Sequence, residues 1–424
     1  AMLRKVYLVG GHVTPFVGKG YPNFQKGAKG LKEYFAESIQ GAFQKTGVKA
    51  ESIDRIYVGN FAGELFNSQG HLGAAVAAAH PALLYRPSMR VEDRRSLAAD
   101  VADAACASGG LACAEAVRAI KSGDDCVMAV GVEVQTEADA RTGGTYLARA
   151  ADFNRQSSID DFTFPALFAR RAKAYLTKYP DVQMADLAGV GVKAYSNGNK
   201  NPLAHMHAIQ LPPEKAVAGK EFLQNADLKP FVQHTHCSQV SDGGAAAIFM
   251  SEEGLKRSGL NEQSAVEIVA SDYGVGDLWS DPADLTVMDT TKAVVTRMLA
   301  SAGVSPSDLE VAEVHDCFAI AEVLMYEAIG LAGPGKGTEL LKSGATSLTG
   351  KIPVNTGGGL ISFGHPVGAT GVKQVLEIYR QMKGLCGDYQ MSRTPQLGLT
   401  VNMGGDDRTS AAMLLRNTSL TSKL

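Results

Sequence analysis

The feature that most constrains the fold is an internal echo. Gly47-Val-Lys-Ala-Glu-Ser-Ile-Asp-Arg-Ile-Tyr-Val-Gly-Asn60 is answered far down the chain by Gly303-Val-Ser-Pro-Ser-Asp-Leu-Glu-Val-Ala-Glu-Val-His-Asp316. Gly243-Gly-Ala-Ala-Ala-Ile-Phe-Met250 is answered in the same way by Arg408-Thr-Ser-Ala-Ala-Met-Leu-Leu415. The first pair reads in both copies as a helix end, a turn and a strand, and the second pair as a buried strand. A chain that repeats such a unit folds as two similar halves. Its 424 residues also exceed what one ordinary core organises.

The first half reads as strand Lys5–Val9, helix Leu31–Lys45, strand Ile53–Val58, helix His71–Ala79, a helix after Cys106, and strand Cys126–Val130. Leu31, Phe35, Ile39 and Phe43 fall four apart, the spacing of one helix face. This order of elements reads as α/β with parallel pairing. Residues 134–229 differ in character: they are more polar and are broken by Asn197-Gly-Asn-Lys-Asn-Pro202 and Leu211-Pro-Pro213. They read as an inserted loop domain carried on the first half, with a helix near Pro165–Tyr179. The expected division is therefore 1–133 with 230–253 as the N-terminal half, 134–229 as the insertion, and 254–424 as the C-terminal half.

Four stretches carry candidate chemistry. In Asp103-Ala-Ala-Cys-Ala-Ser-Gly-Gly-Leu-Ala-Cys113, Cys106 stands just ahead of the helix, where unpaired N–H groups and the helix dipole favour a thiolate. The small residues Ala107 to Gly110 allow other backbone to approach. His315-Asp-Cys-Phe318 ends the echoed strand, where parallel sheets build sites. Asn355-Thr-Gly-Gly-Gly-Leu-Ile-Ser-Phe-Gly-His-Pro-Val-Gly-Ala-Thr-Gly371 puts His365-Pro366 at a helix start, without the Lys-Ser/Thr of a phosphate loop. Asn402-Met-Gly-Gly-Asp406 turns after the strand Leu397–Val401. Singly, each has a structural explanation. Together they supply nucleophile, base, acid and hydrogen-bond donors, the set that acyl transfer requires.

These four segments resemble, in order, the catalytic loops of the thiolase superfamily, and the likeness spans essentially the whole chain. His-Asp-Cys-Phe, and Phe164-Pro-Ala-Leu-Phe-Ala-Arg-Arg171, are similar to the sterol carrier protein 2-type thiolases. The resemblance implies a duplicated thiolase fold: two α/β halves in five layers, αβαβα, with an inserted loop domain. It implies thiolysis of a 3-ketoacyl-CoA by CoA, giving acetyl-CoA or propionyl-CoA and a shortened acyl-CoA through an acyl group on Cys106. The reverse condensation belongs to the same chemistry. His365 would help deprotonate Cys106, His315 and His365 would hold the enolate oxygen, and Cys317 would move the carbon-bound proton. Backbone N–H groups of Cys106 and Gly405 would form the oxyanion hole, and Ser238 would touch the pantetheine arm. Most thiolases carry a second catalytic cysteine in a Cys-x-Gly fourth loop. Met403 is read as standing in that place, with Cys317 supplying the missing thiol.

Two other functions use the same residues. A ketoacyl-synthase-type condensing enzyme would use Cys106, His315 and His365, but has no need of Cys317. A non-catalytic CoA- or lipid-binding protein would not need the thiols at all. The six cysteines are scattered without a C-x-x-C pair, which argues against zinc and against a disulfide framework. His234-Thr-His236-Cys237 is taken as structural. No metal and no tightly bound cofactor is expected; coenzyme A is a substrate. A net charge of −3 gives no footprint for nucleic acid, and no apolar run is long enough to span a membrane. The pair Arg170-Arg171 is available for a phosphorylated ligand. A homodimer or homotetramer is the family's usual state. Ser422-Lys423-Leu424 spells the peroxisomal import signal, implying an import receptor and a peroxisome or related microbody.

Overall fold

The structure, a computed structural model, describes residues 4–84 and 98–419. Nine strands are described: β1 (Tyr7–Val13), β2 (Arg55–Gly59), β3 (Ala98–Ala102), β4 (Cys126–Glu133), β5 (Gly243–Met250), β6 (Val266–Val275), β7 (Val311–Glu313), β8 (Leu397–Gly404) and β9 (Thr409–Asn417). They join in the order β3-β2-β4-β5-β1-β6-β9-β8-β7. The order is a near mirror about β1 and β6, the first strand of each half, which pair antiparallel through Tyr7, Leu8, Val266 and Glu267. The counterpart of β3 in the second half is a single bridge, Val354 on Ala312 of β7, in the place that β3 takes on β2.

The echo is thus a structural repeat. Gly47 and Gly303 both end a helix in the left-handed region, at φ 71° and 64°, and each leads through a short 3₁₀ turn into β2 or β7. Both first strands carry a bulge against the last strand of their half, between Leu8 and Gly10 in β1 and between Ile268 and Ala270 in β6. Parallel pairing holds for β2 with β3 and β4, and for β7 with β8. The last strand of each half, β5 or β9, runs antiparallel to both of its neighbours, and β1 and β6 meet antiparallel at the seam between the halves.

Helices complete five layers. Helix α1 (Leu31–Thr46) buries Leu31, Tyr34, Phe35, Ile39 and Ala42 on the outer face of the first half. Helices α2 (Ser108–Ser122) and, near the other end of the chain, Val367–Met382 lie between the two half-sheets and share one apolar core with both. Glycine lets them touch: a Cβ on Gly371 would stand 2.0 Å from the Gly110 nitrogen, and one on Gly109 2.6 Å from the Gly368 oxygen.

The segment between β4 and β5 holds α3 (Thr163–Lys178) and α4 (Met184–Gly198). It leaves the chain from the first half, yet Phe168, Ala172, Tyr175, Leu187 and Val190 pack in the outer core of the second. α5 (Asp289–Ala302) and α6 (Ala319–Ala328) belong to that same layer, and Val367–Met382 is hereafter α7. No described helix is long and apolar enough to cross a membrane.

Candidate active site

The pseudo-symmetry explains why distant loops meet. α2 and α7 hold equivalent places in the two halves, each just before the strand β4 or β8, and they cross at their first turns. Cys106 precedes α2 and His365 precedes α7, so the crossing brings the two residues together. One ligand atom each from Cys106, His315 and His365 lie within 4.8 Å of one another. The rings of His315 and His365 meet edge to face with centroids 5.0 Å apart.

The Cys106 turn is built by its neighbours. Ala105 sits at φ 51°, a conformation that costs a non-glycine residue about 1–3 kcal/mol and is stored at functional sites. Asp103 accepts the Ala105 N–H at 3.2 Å, while Ser108 accepts the Ala104 N–H at 3.0 Å and donates to the Ala105 carbonyl at 2.6 Å. The expected helix-start thiolate is not what results. α2 begins two residues later, at Ser108, and burial pushes the Cys106 thiol up to about 12. The N–H groups of Gly405 and of Cys106 itself pull the other way. At rest Cys106 is a thiol, and its proton needs an acceptor at the moment of attack.

His365 offers that acceptor. Its Nδ1 lies 2.6 Å from the Thr370 hydroxyl, whose own proton goes to the Pro366 carbonyl at 3.1 Å. Nδ1 therefore carries the hydrogen, and Nε2 is a buried lone pair without a partner. Burial pushes the ring down to about 3, so it is neutral. The His365 N–H donates to Ser241 Oγ at 3.2 Å, and His205 Nδ1 meets the same oxygen at 2.8 Å, fixing this loop from behind.

His315 is fully buried and also neutral, its pKa well below the ordinary value through burial and the neighbouring His365. Between it and Cys317 stands Asp316, which accepts the Leu360 N–H at 2.7 Å and so ties the second loop to the third. The Cys317 thiol is buried and is raised well above its ordinary value, by burial first and then by Cys106, Asp316 and Asp406. Ser238 is half-buried, and its N–H donates to the Cys317 carbonyl at 2.9 Å, so it adjoins the second loop through its main chain.

The fourth loop corrects the reading of Met403. Neighbours on a strand point to opposite faces. Met403 is fully buried in the outer core of the second half, while Asn402 faces the site. The Asn402 carboxamide donates to the Cys106 carbonyl at 3.1 Å, accepts the Gly110 N–H at 3.0 Å, and meets His315 Nδ1 at 3.1 Å. Counting Cys-x-Gly back from Gly404 puts the first position at Asn402, a signal that was present in the sequence. Gly404 presses this loop onto the first, since a Cβ there would stand 2.1 Å from the Ala104 carbonyl oxygen.

Arg171 is the other residue missed. It is not open to a phosphorylated ligand: it is fully buried, pairs with Asp406, and donates to the Leu285 and Val287 carbonyls at 3.0 and 2.9 Å. Arg170 is taken by Asp281 at 3.0 Å. Phe168, one turn before Arg171, stacks on Phe318 with centroids 4.6 Å apart. The segment Phe164–Arg171 thus clamps the second and fourth loops. His236 is buried in a 3₁₀ turn and is not one of the grouped residues Cys106, His315 and His365, and Ser422, Lys423 and Leu424 lie outside the described residues.

Comparison with known proteins gives one answer along the chain. The family model described as "Thiolase, N-terminal domain" matches residues 6–253, and "Thiolase C-terminal domain-like" matches residues 277–417. An acetyl-CoA acetyltransferase of Methanothermobacter thermautotrophicus is 33% identical over 90% of this chain and 93% of its own. Sterol carrier protein 2 of Gallus gallus is 28% identical over 91% of this chain and 67% of its own. The crystal structure of human mitochondrial 3-ketoacyl-CoA thiolase has the same fold, with a TM-score of 0.69 at 17% identity, covering 99% of this chain and all of that one.

Proposed function

The chain belongs to the thiolase family, an acyltransferase family acting on CoA thioesters, and from that premise we propose that it is a 3-ketoacyl-CoA thiolase working through an acyl group on Cys106. The observation that carries the proposal is the meeting of a thiol (Cys106), a neutral imidazole with a bare Nε2 (His365) and a second imidazole (His315) from separate loops, with a second buried thiol (Cys317) two residues along the His315 loop. The second thiol favours thiolysis over the condensing-enzyme reading, which has no use for it.

The steps follow from these groups. His365 Nε2 takes the Cys106 proton as the sulfur bonds to the 3-keto carbon. The bond between C2 and C3 breaks, its electron pair passing into the enolate of acetyl-CoA or propionyl-CoA, whose oxygen takes hydrogen bonds from His365 and His315. The Cys317 thiol gives its proton to C2. The Cys317 thiolate then takes the proton of an incoming CoA thiol, which attacks the acyl carbon and expels Cys106 as a thiolate that takes back the proton held on His365. In both acyl steps the N–H groups of Cys106 and Gly405 hold the thioester oxygen; one such donor is worth roughly 10²–10³ in rate. Burial that disfavours a resting thiolate fits a site where the charge exists only while substrate excludes water.

Ser238 beside Cys317 is assigned to the pantetheine arm, and CoA is a substrate, not a resident cofactor. A homodimer or homotetramer is proposed; among the described residues β3 is an edge strand, and Val101 on it is 47% exposed, which supports a second copy there. Ser422-Lys423-Leu424 supports import into a peroxisome or related microbody, and deleting it should abolish that import. The decisive experiment is thiolysis of a graded series of 3-ketoacyl-CoA esters, followed by loss of substrate with and without free CoA. Loss that depends on CoA supports the proposal. Retained CoA binding without thiolysis on any member would replace it with the non-catalytic reading.

A further inference from the structure

Hydrogen-bond donation from His315 requires its one ring proton to be on the nitrogen that faces the substrate. We propose that Asn402 is a positioning residue that fixes His315 in the Nε2–H tautomer. The tautomer itself follows from the hydrogen bonds; its catalytic consequence rests on the thiolase reading above.

The orientation of the Asn402 carboxamide is set by two main-chain partners that cannot be exchanged. Gly110 N–H can only donate, and it lies 3.0 Å from Oδ1. The Cys106 carbonyl can only accept, and it lies 3.1 Å from Nδ2. Turning the amide end for end would set N–H against N–H and oxygen against oxygen, at about 1–3 kcal/mol for each buried group left unpaired. Nδ2 therefore presents a hydrogen to His315 Nδ1 at 3.1 Å, and Nδ1 must meet it with a lone pair. The ring is buried and neutral, so its single proton is on Nε2.

His365 is held in the opposite state, with Nδ1–H on Thr370 and a bare Nε2. One imidazole of the pair accepts and the other donates. That difference assigns the base role to His365 and the donor role to His315 before any substrate arrives. A residue accepting at position 402 would invert the assignment: an aspartate would take Nδ1–H and leave Nε2 bare, as carboxylates do behind metal-bound histidines.

The test is nitrogen NMR of the full-length protein labelled with ¹⁵N-histidine, with the His315 signals identified by their loss in His315→Gln. In the wild type, Nε2 of His315 should be pyrrole-like and Nδ1 pyridine-like; in Asn402→Asp the two should exchange. In the same variant kcat for thiolysis should fall by about 10²–10³, the worth of one oxyanion donor, with KM nearly unchanged and Cys106 still acylated by a reactive thioester. A wild-type His315 protonated on Nδ1, or a spectrum unaltered by Asn402→Asp, overturns the inference. If Asn402→Asp does not fold, the wild-type spectrum decides alone. The expected tautomer in a protein without thiolysis would sink the functional reading and leave this one standing; thiolysis with the other tautomer would do the reverse.

Discussion

Replacing Arg171 by methionine separates positioning from chemistry. The guanidinium is fully buried, its carboxylate partner Asp406 is 3% exposed, and its remaining bonds go to the Leu285 and Val287 carbonyls. Methionine keeps much of the length and volume but none of the donors. Asp406 is then left as a buried charge, and no described side chain other than Arg171 bonds to it. Breaking one partner out of a buried pair costs about 3–5 kcal/mol. That is a large share of the roughly 5–15 kcal/mol by which folded proteins are stable. The effect should also reach the chemistry, because Asp406 follows Gly405, whose N–H favours the Cys106 thiolate. Arg171→Met should lower the urea midpoint and reduce kcat by about 10²–10³, the worth of one oxyanion donor. Asp406→Asn added to it removes the naked charge and should recover part of the stability, while the loop remains unclamped and kcat remains low. The assay is urea unfolding by fluorescence beside steady-state thiolysis, for both single variants and the double. A single variant within about 1 kcal/mol of wild type and with normal kcat would refute the clamp.

Further expectations follow the same logic. Cys106→Ala should give neither an acyl adduct nor turnover, whereas Cys317→Ala should still form the adduct, with turnover down about 10²–10⁴; Met403→Leu, which alters only the outer core, should be nearly silent. Intact-protein mass after acetyl-CoA incubation, with thiolysis rates, checks all three, and normal turnover in Cys317→Ala would remove it from the proton path. Burial holds His205, His236 and His365 neutral, near about 4, 4 and 3, against about 6.5 in an unfolded chain. Because the unfolded chain binds more protons, their contribution is present above pH 6.5 and is lost as pH falls toward about 4, each adding about 1.4 kcal/mol per pH unit to the slope. His205→Gln should flatten that slope in urea titrations, and an unchanged slope would count against it. Gly371→Ala should fail to give a soluble folded protein, since its Cβ would stand 2.0 Å from the Gly110 nitrogen and 2.3 Å from Asn402 Oδ1; Gly70→Ala, with open space around it, should be indistinguishable from wild type by circular dichroism.

The duplication, the α/β class and the four loops were legible in the chain, because those are written in local pattern. Gly47 and Gly303 end helices in the left-handed region wherever the helices go, and the spacing of Leu31, Phe35 and Ile39 marks a buried face without reference to a partner. Resemblance of the loop motifs supplied the candidate chemistry of Cys106, His315, Cys317 and His365. The remainder required the folded chain, because it depends on which groups end up enclosed together. Cys106 reads as an activated thiolate from its place before a helix, yet burial raises it to about 12, since taking a charge out of water outweighs two backbone N–H groups. Met403 and Asn402 adjoin in the chain and face opposite sides of β8, so the partner of His315 depends on which side of the strand meets α2. Arg171 looked like half of an exposed basic pair. It is the buried counter-charge of Asp406, because the inserted segment leaves one half of the chain and packs on the other.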